Sequence, residues 1–218
     1  MHILDMTVFD QIMIGSGVCW TITYLLIIRR GMFDMSYGMP AAALFANLAW
    51  ETIYSFVLPH SAPQLIVDRI WFGFDVLILL QYLRFGPVIA RVRRTWAFYA
   101  QFLLGFSITC LLIVFLSSAL KDQYGAYAAF GQNLMMSVLF IAMLRERKSV
   151  GGQSMYIALF KCLGTLLASI AFYTQTKTYS HSALMQLLFV AIFIYDALYV
   201  IELYKELKAR KIKPFKRF

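Results

Sequence analysis

The chain has 218 residues, 61% of them hydrophobic and 14% charged, with a mean hydropathy of +0.70 and a formal net charge of +9. Soluble globular chains carry about a quarter charged residues, and one core of this size could not hide so much apolar surface from water. An ordinary water-soluble globule and a disordered chain are both excluded, and the positive excess points either to nucleic acid or to the cytoplasmic side of a membrane protein.

Apolar runs of about 18 residues or more, enough to cross a ~30 Å hydrocarbon layer, fall at 9–28, 38–58, 66–85, 96–119, 124–144, 154–173 and 183–204. The first is read as a retained helix rather than a cleaved signal. Residues 1–11 carry no positive charge, and the run ends in Arg29-Arg30 without a small-residue cleavage pattern. The expectation is an all-α polytopic membrane protein, a single seven-helix transmembrane domain over 1–204 followed by a basic tail, 205–218.

The charges sort by loop. Lys and Arg number two after the first span (Arg29, Arg30), four after the third (Arg84, Arg91, Arg93, Arg94), three after the fifth (Arg145, Arg147, Lys148) and seven in the tail. The alternate segments carry none, Arg69, Lys121 and Lys177. Sixteen against three places the C-terminus in the cytoplasm and the N-terminus outside or lumenal. The charge is therefore a topology label, and no nucleic-acid partner is expected. The tail anchors that topology and touches anionic lipid headgroups. Either a bacterial plasma membrane or the endoplasmic reticulum suits such a chain. Cys19, Cys110 and Cys162 all lie inside spans without metal-ligand spacing, so no disulfide, metal or cofactor is expected.

Ionisable residues inside a span are costly and are functional candidates by default. Glu51 and Asn47 lie in span 2, Asp75 in span 3, Lys161 in span 6, and Asp196 and Glu202 in span 7. Glu202 is close enough to the cytoplasmic end to pair with Lys205 and is set aside. Asn47, Glu51 and Tyr54 share one helix face at i, i+4 and i+7. Phe189, Phe193, Asp196, Tyr199 and Val200 share another. For Asp75 and Lys161 the packing reading comes first, with Gln101 and Gln132-Asn133 as further interhelical links. For Glu51 and Asp196 the functional reading comes first, because each sits among aromatic residues with no basic neighbour on its own helix. Apolar surroundings disfavour an ionised carboxyl, and a neutral carboxylic acid in a dry pocket is a proton donor. Lys161 would weaken such an acid by reaching it, so it is expected to point to Asp75, to headgroups or to a polar substrate head.

Signatures of soluble enzymes are absent: no HExxH, GxSxG, phosphate loop, GxGxxG or aspartate-rich diphosphate motif occurs, and His2, His60 and His181 lie at span edges or the terminus. Tyr37-Gly38-Met39-Pro40-Ala41-Ala42-Ala43-Leu44, then Asn47 and Trp50-Glu51, resembles the YGMP…AL…N..WE signature of the integral-membrane terpene cyclases of the fungal paxilline and pyripyropene pathways and their bacterial relatives. Tyr195-Asp196-Ala197-Leu198-Tyr199 is similar to that family's late Asp-x-x-Tyr element. Asp75, Gly151-Gly152-Gln153-Ser154 and Gly164-Thr165 add to the likeness, which covers most of the chain and brings the same seven-span plan.

The resemblance implies a terpenoid-biosynthesis enzyme of secondary metabolism, of isomerase or lyase type. It would cyclise a polyprenyl chain, often an epoxide on an aromatic or polyketide head, by metal-independent protonation rather than diphosphate loss. It makes Glu51 and Asp196 the essential pair, with Asn47 and Asp75 as supporting polar groups. An upstream prenyltransferase and epoxidase would supply the substrate. Trp50, Tyr54, Trp71, Phe74, Phe193 and Tyr199 are the candidate cavity aromatics, since a carbocation needs π-faces and shelter from water. Competing readings are a small proton-coupled transporter, a seven-span receptor and a membrane lipid-ether hydrolase. Pro63-Gln64 resembles the PQ-loop dipeptide of transporters but falls in a loop, and no three-helix repeat is visible.

Overall fold

A computed structural model describes residues 7–89, 95–122 and 124–218. Arg91, Arg93 and Arg94 of the charge count lie outside the described residues. The described residues form helices and loops without a strand. In chain order the helices are α1 (Val8–Phe33), α2 (Ala41–Thr52) continued by a π-helical turn (Ile53–Val57), α3 (Gln64–Ile89), α4 (Trp96–Ala119), α5 (Ala126–Arg147), α6 (Met155–Gln175), the single turn α7 (Lys177–Ser180), α8 (Ala183–Ala209) and a 3₁₀ turn (Pro214–Lys216).

Six of these, α1, α3, α4, α5, α6 and α8, are long and apolar enough to cross a membrane. They account for six of the seven expected runs. The remaining run, expected over 38–58, begins later because Pro40 caps it with an extended backbone. It comprises twelve residues of α-helix and five of π-helix, roughly 25 Å in length. α4 has the expected limits, whereas α1 and α8 run on past Arg30 and Lys205. Long basic side chains are good helix formers, so leaving the hydrocarbon does not end a helix.

The chain falls into two compact units, residues 27–153 and residues 7–26 with Ser154–Phe218. In the first, α2 packs against α3, α4 and α5. Eight of its twelve residues are buried, on every side of the helix. The flanking α4 is the reverse, with Leu103, Leu104, Leu111, Leu112 and Phe115 all exposed. Such an apolar exterior around a polar-containing interior fits lipid as the solvent.

The signature segment ahead of α2 is a backbone joint of the same unit. Gly152 has φ +76, and a Cβ there would stand 2.8 Å from the Tyr37 carbonyl oxygen and 2.9 Å from Gly38 Cα. A Cβ on Gly38 would stand 2.6 Å from the Gly152 carbonyl oxygen. Asp34, ion-paired with Arg30, accepts the Gly152 N–H at 2.8 Å. Arg147 donates to the Tyr37 carbonyl at 2.9 Å and covers the Tyr37 ring at 3.9 Å.

In the second unit α6 packs against α8, and the 3₁₀ turn of the tail packs on both. α1 is tied to α6 by Ser16, whose hydroxyl donates to the Gly164 carbonyl at 2.7 Å. The inner stripe of α8 is Met185, Leu188, Phe189, Ile192, Asp196, Tyr199, Leu203 and Leu207.

Gly152→Ala should lower stability by about 1–3 kcal/mol from the left-handed backbone alone, with the Tyr37 clash added. A thermal-unfolding midpoint of the detergent-solubilised variant equal to that of the parent would contradict this role.

Candidate active site

The axial position of α2 sets the chemistry of the 27–153 unit. A polar side chain on a helix buried all round must find its partner inside the protein. Asn47 donates through Nδ2 to Asp75 Oδ2 on α3 at 3.0 Å, and its Oδ1 accepts from Gln132 Nε2 on α5 at 3.3 Å. One amide thus ties three helices together, and Gln132 has the linking part expected of it.

Glu51, one turn further along α2, is 3% exposed, and its Oε2 is buried with no hydrogen-bond partner among the described residues. Asp75 is wholly buried, with Oδ1 likewise without a partner. Glu51 lies within electrostatic reach of both Asp75 and Asp68.

Aromatic groups complete this side. The rings of Trp50 and Tyr54 are 4.7 Å apart, and Trp50 Nε1 donates to the Gly125 carbonyl at 3.0 Å. Gly125 has φ +60, and a Cβ there would come within 2.3 Å of the Tyr54 ring. The Tyr54 hydroxyl is 2.9 Å from Ser117 Oγ. Trp50, Tyr54, Ala49 and Ile53 form one apolar cluster with Ile113 and Ala128. The π-turn begins two residues after Glu51; such turns locally widen a helix and recur at functional sites. Trp71 and Phe74 on α3 are half-buried.

Asp196 lies in the other unit, and there an expectation is overturned. Lys161 does not turn to Asp75 or to headgroups: its Nζ donates to Asp196 Oδ1 at 2.6 Å, and both side chains are essentially inaccessible. α6 and α8 pack closely, so two opposite charges with no water between them pair. Lys161 also stands 5.8 Å from the Trp20 ring. Asp196 Oδ2 has no hydrogen-bond partner among the described residues.

Tyr199 is buried beside this pair's stripe, but Phe193 is 47% exposed and is no enclosed cavity aromatic. At 100° per residue, Phe193 projects roughly 60° to one side of Asp196, whereas the buried Ile192 and Tyr199 lie roughly 40–60° to the other.

Sequence reasoning passed over His60 and Asp68. His60 Nδ1 is 2.7 Å from Asp68 Oδ2, Gln64 Nε2 donates to Asp68 Oδ1 at 2.7 Å, and the His60 ring stacks on Tyr54 at 4.6 Å. The available signal was the Gln64-x-x-x-Asp68 spacing at the start of α3, which puts both side chains on one face.

A family model of Pyr4-like transmembrane terpene cyclases matches residues 3–208. The Pyr4-family terpene cyclase mfmH of Annulohypoxylon moriforme is 31% identical over 197 residues, 85% of this chain and 78% of that one. Terpene cyclase ascF of Acremonium egyptiacum is 28% identical over 193 residues, 76% of this chain and 68% of that one. Terpene cyclase pyr4 of Aspergillus fumigatus is 27% identical over 171 residues, with shares of 74% and 68%. No solved structure matches. The chain belongs to the Pyr4-like transmembrane terpene cyclases, as the signature resemblance implies, and is a multi-pass membrane enzyme acting on a small terpenoid molecule. The transporter, receptor and ether-hydrolase readings give way to this one.

Lys161→Met should cost about 3–5 kcal/mol, because it strands a buried carboxylate. Adding Asp196→Leu should return most of that loss without restoring activity. Thermal shifts of the single and double variants read the coupling; additive losses would refute the pair.

Proposed function

We propose that the protein protonates the terminal epoxide or alkene of a polyprenyl chain carried on an aromatic or polyketide head, and steers the resulting carbocation through ring closure without loss of diphosphate. The observation that carries this reading is Glu51, buried on the helix that also carries the buried Trp50 and runs on into Tyr54, with Oε2 unpartnered among the described residues. No hydrogen-bond donor among the described residues meets that oxygen, which is the condition for a neutral, proton-donating carboxylic acid.

Glu51 is the acid. Asn47 and Asp75 fix the helix that carries it. Asp196, paired with the Lys161 ammonium, is given the part of a carboxylate partner for positive charge that stabilises the cation. Trp50 and Tyr54 offer π-faces to the developing charge, with Trp71 and Phe74 as further wall. The substrate is a meroterpenoid precursor, supplied by an upstream prenyltransferase and, where an epoxide is needed, an epoxidase.

In this reading α2 with its π-turn is the seventh crossing, its α-helical part packed on α3, α4 and α5, and the charge asymmetry directs the N-terminus outward or lumenal and the C-terminus into the cytoplasm. Single cysteines at residue 7 and near residue 216, probed with an impermeant thiol reagent on sealed vesicles, should label from opposite faces. Labelling from one face would mean an even number of crossings.

Membranes carrying the full chain should convert a prenylated phenol with a terminal epoxide into an isomer of unchanged mass. Glu51→Gln should slow this by about 10²–10⁴-fold, the range for loss of a general acid, with expression and membrane insertion unchanged. Full turnover by that variant would remove Glu51 from the chemistry.

A further inference from the structure

The 27–153 unit holds a second proton-handling group that the roles above leave unused. Asp68 is wholly buried, and both of its oxygens are engaged: Oδ1 accepts from Gln64 Nε2, and Oδ2 faces His60 Nδ1. A carboxylate set in this way draws the imidazole proton to Nδ1 and leaves the lone pair on Nε2. The His60 side chain is 10% exposed, and Nε2 is buried without a hydrogen-bond partner among the described residues. The ring lies parallel to Tyr54, with an interplanar angle of 4°, and 5.7 Å from Trp50. The oriented base therefore sits against two aromatic rings that flank Glu51 in the chain, and its partner Asp68 lies within electrostatic reach of Glu51.

Anchoring the start of α3 needs only Nδ1. A second nitrogen kept dry and unpaired costs stability, and its chemistry is that of a base waiting for a proton. We infer that His60, its tautomer set by Asp68, takes the proton released by the final carbocation and returns it to Glu51; this rests on the cyclase reading, with Glu51 as the acid.

The step balances. The C–H bond next to the cationic carbon breaks, its electron pair becomes the new C=C bond, and the proton passes to Nε2. The imidazolium then gives a proton to the carboxylate left on Glu51, restoring a neutral acid and a neutral base. No proton is gained or lost overall, as an isomerisation requires, and no co-reactant enters. Between turnovers the neutral pair persists because making two separated ions in an apolar site is opposed by desolvation. His60 is a catalytic residue in this scheme, and Asp68 is a positioning residue.

The test uses the full chain in membranes and a prenylated phenol with a terminal epoxide. His60→Ala should cut turnover by roughly 100-fold, and imidazole added to the medium should restore at least about tenfold of that loss, as expected when only the base is missing. Asp68→Asn, which reverses the tautomer, should fall comparably and gain nothing from imidazole. His60→Phe keeps a ring against Tyr54; its product should shift from the isomer towards a water-captured alcohol. Turnover and product unchanged in His60→Phe, or a His60→Ala loss that imidazole leaves untouched, would overturn the assignment.

A second measurement needs no substrate: the ¹⁵N imidazole signals of His60 in the solubilised protein. Nδ1 should carry the proton in the parent chain and Nε2 in Asp68→Asn. Failure of the parent to cyclise the probe counts against the cyclase reading, whereas a proton on Nε2 in the parent counts against His60 by itself.

Discussion

Lipid offers no hydrogen bonds, so every polar group carried into this protein must be satisfied by the protein or left exposed to its consequences. α2 concentrates that constraint. It carries Asn47 and Glu51 on a helix buried on all sides, and the two are resolved differently. The Asn47 amide finds Asp75 and Gln132 and becomes the tie between α2, α3 and α5. Glu51 retains an oxygen with no hydrogen-bond partner among the described residues. The first arrangement holds the helices in place, and the second is what the proposed acid role of Glu51 rests on.

The same constraint yields a different outcome around α6 and α8. Lys161 and Asp196 pair at 2.6 Å, and burial on this scale offers little net stability beyond what an apolar pair would give. What such a pair provides is a fixed charge distribution. On the proposed function, a carboxylate whose position is set by an ammonium needs no reorganisation as positive charge develops on a substrate, the condition under which electrostatic stabilisation is most effective. The two acids singled out from the sequence therefore differ in kind, and the difference lies in their partners.

Those partners are where legibility stops. Glu51 and Asp196 stand out in the sequence because a charge amid twenty apolar residues is costly, and α4 is readable to the residue because no charged residue interrupts it. Lys161 was read by its own helix alone, where no acid lies at i±3 or i±4, and its partner on α8 could not be found by spacing. Phe193 was assigned to the inner face by grouping a sector too wide; the buried stripe of α8 runs to the other side of Asp196. The π-turn inserts one residue without a composition signal. His60 looked like an edge residue because eight positions and a proline-containing loop separate it from Asp68, and only the return of the chain into α3 closes that gap.

The π-turn also bears on why so short a helix suffices. Roughly 25 Å of helix would leave polar backbone in contact with lipid if α2 stood at the periphery. α3, α4 and α5 pack on α2 and bury eight of its twelve residues, while Phe56 and Val57 of the π-turn stay exposed, and the chain leaves the helical path at Leu58 and brings His60 against the Tyr54 ring. A full-length lipid-facing helix would have carried residues 58–60 outward to the headgroups. Packing of α2 on its neighbours thus lets one unit hold the imidazole, the indole, the phenol and the Glu51 carboxyl.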